Sequence, residues 1–176
     1  MKVARRAMIE KGLLPDFSVE VIAELAGIQT SEGIDDEKIR DLRDVLWASI
    51  DNDDTHDIDQ LTAAQAMPGD AAKILVAVAD VDAIVRSGSA INGHARRNTT
   101  SVYTAVEIFP MLPEKLSTDL SSLSFEEDRL AFVVEMLIDR DESLQTSDIY
   151  RACVCNHAKL AYNSTAAWLD GIGNAP

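Results

Sequence analysis

Ile50-Asp51-Asn52-Asp53-Asp54-Thr55-His56-Asp57-Ile58-Asp59-Gln60 places five carboxylates within nine residues, directly after an apolar run. Carboxylate oxygens are the donors that hard divalent cations take, and two such ions about 4 Å apart clamp the attacking and leaving oxygens of a phosphodiester. The stretch is therefore a candidate metal site. Val45-Leu46-Trp47-Ala48-Ser49-Ile50 reads as a short buried strand, which puts Asp51 where the chain leaves the core. Asp57 and Asp59 stand two apart, so in an extended segment they share one face and Ile58 takes the other. Asn52, Asp53, Asp54 and Thr55 have the composition of a turn that folds Asp57 back toward Asp51, so that three acids converge on one ion.

The competing reading is a solvated acidic loop, since loops rich in Asp and Asn are ordinary. A calcium loop of the EF-hand type fits badly. Counted from Asp51, the Gly position holds His56 and the bidentate Glu position holds Thr62. Mutual repulsion among the acids works against a purely structural role unless a cation sits among them.

At 176 residues the chain is long enough for one domain that buries about 70% of its unfolded surface. Its formal net charge of -14 argues against a general nucleic-acid surface, because backbone binding draws on Lys and Arg. The nearest basic element is His94-Ala95-Arg96-Arg97, with Lys73 and Arg86 before it. These residues are candidates for phosphate contacts, with a solvated helix face as the default. Cys153 and Cys155 lack both the companion ligands of a zinc site and the gap of a redox motif, so they read as buried, inert thiols. Lys2, Arg5 and Arg6 are followed by no continuous apolar core, so no secretory signal is read, and no stretch has the length of a membrane span. A cytoplasmic location is expected.

The pattern predicts an α+β fold: a mixed, largely antiparallel sheet with flanking helices. Residues 1–12 read as a helix stopped by Gly12, and Ser18 caps a second that runs to Ala26 with Gly27 closing it. A polar stretch from Gln29 to Glu37 then leads to a short helical run. Leu61–Met67 and Ala71–Ala79 flank Pro68-Gly69 as a hairpin. Asp82–Val85 and Ala90–Arg97 read as helices, strands follow around Val102 and Ile108, and a helix is expected from Glu114 to Leu123. A second hairpin joins Leu130–Met136 to Thr146–Arg151 through Asp139-Arg140-Asp141-Glu142, and a last helix is expected from His157 to Leu169, ending at Gly171.

Five segments stand in an order and spacing that resemble a known family. They are Ser49-Ile50-Asp51, Asp57-Ile58-Asp59-Gln60, Val76-Ala77-Val78-Ala79-Asp80-Val81, Thr100-Ser101-Val102-Tyr103 and Ile108–Ser117. Over roughly residues 41 to 170 the chain resembles the RNB catalytic domain shared by ribonuclease II and ribonuclease R. The resemblance implies a 3'-5' exoribonuclease that hydrolyses single-stranded RNA processively to nucleoside 5'-monophosphates, with Mg²⁺ or Mn²⁺ as cofactor. It implies that Asp51, Asp57 and Asp59 are three of the four acids of the family's metal and catalytic cluster, with Asp59 positioning the attacking water. Gln60 falls on the fourth, where its amide oxygen brings a donor but no charge. Tyr103 falls on an aromatic residue that stacks on RNA, and Arg96 and Arg97 are weaker candidates for the RNA backbone.

On the same resemblance, residues 1–40 form a helical segment where the family more often carries cold-shock domains, and 41–176 form the N-terminal half of the catalytic domain. The family's second half, with an arginine and a glutamate of the active site, falls past Pro176. Three readings of the chain follow. It is a piece of a longer exoribonuclease, a catalytically silent protein that binds RNA or metal, or a half-domain that self-associates or pairs with a chain carrying the missing half.

Overall fold

The computed structural model describes residues 2–28 and 38–175. In chain order the elements are α1 (Lys2–Glu10), α2 (Val19–Gly27), β1 (Arg40–Asp41), β2 (Trp47–Asp51), β3 (Gln60–Ala66), β4 (Ala72–Ala79), α3 (Ala90–Asn98), β5 (Val102–Tyr103), β6 (Ile108–Phe109), β7 (Asp128–Ile138), β8 (Leu144–Ala161) and α4 (Tyr162–Leu169). A 3-10 turn at Val81–Ala83 and a π-helical turn at Leu116–Leu120 complete the set. The chain divides into two compact units, one from Met1–Glu32 with Val81–Leu120, the other from Gly33–Asp80 with Ser121–Pro176.

The second unit is a closed five-stranded ring. β2 pairs with β3, β3 with β4, β4 with β7, β7 with β8, and β8 returns to β2. All these pairs are antiparallel except β8 with β2, and the short β1 also runs parallel to β8. Closure leaves few unpaired sheet edges. One strand does the joining: the 18-residue β8 pairs with β7 over its first part and with β2 from Asn156 onward, with a register shift where the partner changes.

Alternation fills the interior. Trp47, Leu61, Leu75, Val133 and Val154 are buried together with Ala63, Ala77, Ala131 and Ala152, and the small residues leave room for the indole. The Trp47 Nε1–H donates to Leu42 O (2.8 Å), which satisfies the one polar atom of that ring. Two polar side chains share this core. Asn156 Nδ2 donates to Ser49 Oγ (3.1 Å) and to Leu123 O (3.1 Å), while its Oδ1 accepts from Ala158 N–H (3.2 Å). A buried amide with all these partners fixes the point where β8 changes neighbours. At the end of β4 the buried Asp80 carboxylate is paired with Arg151 (2.8 Å).

The first unit packs Val21 of α2, Ile91 of α3, Val85, Leu112, Leu116 and Leu120 into a separate core. Ser18 caps α2, its hydroxyl accepting from Val21 N–H. Asn98 Oδ1 accepts from Leu14 N–H (2.8 Å) and its Nδ2 donates to Leu14 O (2.9 Å), which stitches the segment after α1 to α3. His94, buried beside Phe17, completes this network through Asn98 (3.1 Å), and burial lowers its pKa below the ordinary value.

The observed fold is the expected mixed, largely antiparallel sheet with helices. Three local expectations change. The short helical run before Val45 is strand β1 and a turn, because β8 supplies a partner for Arg40 and Asp41. Residues His157–Ala161 extend β8 rather than opening a helix, and α4 starts at Tyr162. The helix expected to run to Leu123 ends at Leu120, since Ser121–Leu123 turn away to join the barrel unit. The polar stretch from Gln29 to Glu37 lies outside the described residues. Among the described residues, no helix is long and apolar enough to cross a membrane.

Candidate functional site

Asp51 is the last residue of β2 and shares the face of buried Trp47 and Ser49, so it stands half-buried at the rim of the barrel. Its Oδ1 accepts from Asn52 N–H (2.7 Å) and from Thr55 Oγ1–H (3.0 Å), and Thr55 N–H donates to Asn52 O (3.2 Å). Asn52–Thr55 thus form the turn that their composition predicts. Thr55 O in turn accepts from Lys159 Nζ (2.6 Å) on β8, which brings a cation against the acidic loop.

Beyond the turn the chain is extended, and side chains alternate. Ile58 is 5% exposed and belongs to the barrel core, while Asp57 and Asp59 on either side are exposed. The backbone here is held from outside the loop. Ile58 N–H donates to Ser122 Oγ (3.1 Å), Ser122 Oγ–H donates to His56 O (2.9 Å), Leu123 N–H donates to Ile58 O (2.8 Å), and Ala79 N–H donates to Asp59 O (2.9 Å). The carboxylates of Asp57 and Asp59 make no hydrogen bond or ion pair among the described residues. Gln60 opens β3 on the face opposite to buried Leu61, in register with Val78, so its amide points to the outside of the barrel.

The structure therefore keeps Asp51, Asp57 and Asp59 in one short loop but does not gather them. Among the described residues, no three Asp, Glu, His or Cys side chains converge closely enough to hold one metal ion. In donor chemistry the loop fits a hard divalent cation: the candidate ligands are carboxylate and amide oxygens, two of the three candidate carboxylates are exposed with no partner among the described residues, and no thiolate lies in the loop.

The remaining candidates belong to the helical unit. Tyr103 on β5 is 69% exposed and sits opposite Ile108 of β6, also exposed. Their hairpin is closed by Thr104, whose hydroxyl donates to Glu107 O (2.6 Å). Arg96 and Arg97 are both exposed on α3, and Arg97 Nε donates to Gly12 O (2.5 Å) at the end of the first helix. Cys153 and Cys155 are free, the first buried and the second half-buried, and burial pushes the Cys153 thiol up to about 11.

Sequence reasoning missed Ser122 and Lys159. Both act across more than 60 residues of chain, through one hydroxyl and one ammonium that resemble any surface Ser or Lys in local pattern. A fold-level signal existed only for Lys159: had β8 been read to Ala161, its position beside β2 would have pointed to the end of Asp51's strand.

Residues 39–176, most of the chain, match the RNB domain. The chain belongs to the RNB domain family. It is 36% identical over 173 residues to ribonuclease R of Aquifex aeolicus, covering 96% of this chain and 24% of that relative. To ribonuclease R of Escherichia coli it is 38% identical over 131 residues, 74% of this chain and 16% of the relative. A solved structure of Mycoplasma genitalium RNase R in complex with double-stranded RNA has the same fold, with a TM-score of 0.87 at 24% identity over 96% of this chain and 30% of that one. The chain spans about a quarter or less of the length of these two relatives.

Proposed function

We propose that the chain forms the acidic, metal-holding part of a 3'-5' exoribonuclease that hydrolyses single-stranded RNA processively to nucleoside 5'-monophosphates. The observation that carries this reading is that the Asp57 and Asp59 carboxylates, exposed and without a partner among the described residues, are presented on a backbone pinned by the barrel. Residues 41–176 are read as the N-terminal half of the catalytic domain and residues 1–40 as a helical appendage, working in the cytoplasm.

Asp51, Asp57 and Asp59, with Gln60 as a neutral donor, would hold Mg²⁺ or Mn²⁺. Such a cation lowers the pKa of bound water and offsets charge on a phosphoryl oxygen. Asp59 orients the attacking water and accepts its hydrogen bond. Tyr103 presents its ring to a terminal base, an interaction worth about 1–3 kcal/mol and indifferent to sequence. Arg96 faces the RNA backbone, and Arg97, tied to Gly12, lends it charge from a fixed position. The relative seen with RNA bound supports RNA as the partner.

A second reading is association with a further polypeptide segment, in the same chain or another. Trp168 and Leu169 of α4 and Ile172 just after it are exposed, and no α4 side chain is buried. Apolar groups left open this close together are a mark of interaction surfaces.

The test is degradation of a 5'-labelled single-stranded RNA by the 176-residue chain with Mg²⁺ or Mn²⁺, beside Asp59→Asn. Shortening from the 3' end that Asp59→Asn abolishes supports the exoribonuclease reading for this chain. No shortening by a chain that circular dichroism shows to be folded means that the loop alone is not sufficient, and sedimentation then measures association.

A further inference from the structure

We propose that Ser122 is a positioning residue for the acidic loop, its hydroxyl bracketing Asp57 so that the Asp57 and Asp59 carboxylates project from a fixed backbone. The inference rests on the reading that these two acids hold a divalent cation.

A serine hydroxyl has one hydrogen to give and two lone pairs to accept with. Ser122 uses both capacities on the two neighbours of a single residue: it donates to His56 O (2.9 Å) and accepts from Ile58 N–H (3.1 Å). Asp57 lies between them, held on each side by the same oxygen. Ser122 is 1% exposed and its bond from Ile58 N–H is buried, so water has little access to replace that bond. Leu123, the next residue, extends the clamp by donating its N–H to Ile58 O, and Ala79 does the same for Asp59 O.

These contacts divide the work. Ile58 anchors the segment through its buried side chain, which sets how deep the loop sits. A single apolar anchor leaves the flanking peptides free to rotate, and rotation of either would swing the Asp57 carboxylate. Ser122 removes that freedom. Removing the hydroxyl leaves the buried Ile58 N–H without its partner and takes the donor from the part-buried His56 carbonyl, and the peptides must turn to satisfy them. Groups that orient metal ligands without touching the ion typically change metal affinity 10- to 100-fold when lost.

The experiment is a Mn²⁺ titration of the 176-residue chain by electron paramagnetic resonance, with thermal melts followed by circular dichroism. The variants are Asp57→Asn, Ser122→Ala, Ser122→Thr and Ser122→Cys. The expected result is an affinity about tenfold or more weaker for Asp57→Asn and for folded Ser122→Ala, with recovery in Ser122→Thr, which keeps the hydroxyl. If Ser122→Ala does not fold, Ser122→Cys decides the matter, since sulfur fills the volume and bonds poorly; weakened binding in that variant supports the proposal. Unchanged affinity in a folded Ser122→Ala or Ser122→Cys, alongside weakened Asp57→Asn, overturns the role of Ser122 alone. Equal affinity of the wild-type chain and Asp57→Asn overturns the metal reading of the loop, and the role of Ser122 with it.

Discussion

The barrel unit carries two acidic loops, and they handle their charge in opposite ways. In the turn between β7 and β8, Asp139 Oδ1 accepts from Arg140 N–H (2.8 Å), Asp139 Oδ2 accepts from Gln145 Nε2 (2.7 Å), and Asp141 Oδ1 accepts from Ser143 N–H (3.2 Å) and Ser143 Oγ–H (2.7 Å). Every partner lies within six residues, so this turn folds from its own sequence and uses its acids to do so. The loop from Asp51 to Gln60 begins the same way, with Asp51 bonded to Asn52 and Thr55. From His56 onward its backbone is held by Ser122, Leu123 and Ala79, and the carboxylates of Asp57 and Asp59 are left over. Asp139 and Asp141 cap their own turn, as Asp51 caps the start of the other loop. Acids presented on a backbone that distant residues hold in place are available for something else.

The sharpest way to break that contrast is to remove the anchor of each loop. Ile58→Ala deletes a buried side chain from the barrel core and is expected to cost about 2–5 kcal/mol. Leu144→Ala removes an apolar side chain that is 56% exposed beside the other loop, and is expected to change stability by about 0.5 kcal/mol or less. Urea unfolding of the two variants measures both. Equal costs would mean that the first loop is no more integrated into the barrel than the second.

Charge neutralisation asks the same question of the side chains. Asp57→Asn and Asp59→Asn are each expected to weaken Mn²⁺ binding more than tenfold, which is about 1.4 kcal/mol or more. Asp139→Asn and Asp141→Asn are expected to leave the binding curve where it was, because their carboxylates already serve the turn. Calorimetric titration of the four variants ranks them. A loss of metal affinity on changing Asp141 would erase the distinction between the loops.

How much of this was legible in the sequence follows the same division between local and distant causes. The hairpin of β3 and β4 is readable because Pro68-Gly69 and two apolar runs lie side by side. The strand ending at Asp51 and the inward turn of Ile58 follow from alternation alone. The C-terminal part of β8 has the local pattern of a helix because Ala158, Ala161, Ala166 and Ala167 are strong helix formers; pairing with β2 overrides that preference up to Ala161. The site divides likewise. Its acids are visible as composition, while Ser122 and the outward face of Gln60 depend on where strands from other parts of the chain pass.

Lys159 sharpens the comparison at lower energy. Its ammonium, donating to Thr55 O, is exposed, so Lys159→Met is expected to cost less than about 1 kcal/mol in stability. The effect should be local instead: faster amide exchange between Asn52 and Asp57, with residues 139–143 unchanged. Exchange rates that stay equal in the first loop would remove Lys159 from its frame.

The smallest effect belongs to the self-contained turn, and its direction is fixed by its hydrogen bonds. The Ser143 hydroxyl and N–H hold the Asp141 carboxyl below the ordinary aspartate value of 3.8, the hydroxyl contributing most. As pH falls, the unfolded chain takes up a proton at this group before the folded chain does. The stabilisation is therefore present above 3.8 and is lost as pH drops through that value toward the lowered one. Ser143→Ala is expected to move the titration of Asp141 back toward the ordinary range, followed by carboxyl carbon shifts in NMR, with no change in Mn²⁺ binding. A titration that does not move would take the serine out of the turn's account. A change in Mn²⁺ binding would be more serious, because it would mean that the two loops are coupled. In this structure a serine beside one acid governs only its own turn, whereas Ser122 governs a peptide 66 residues away.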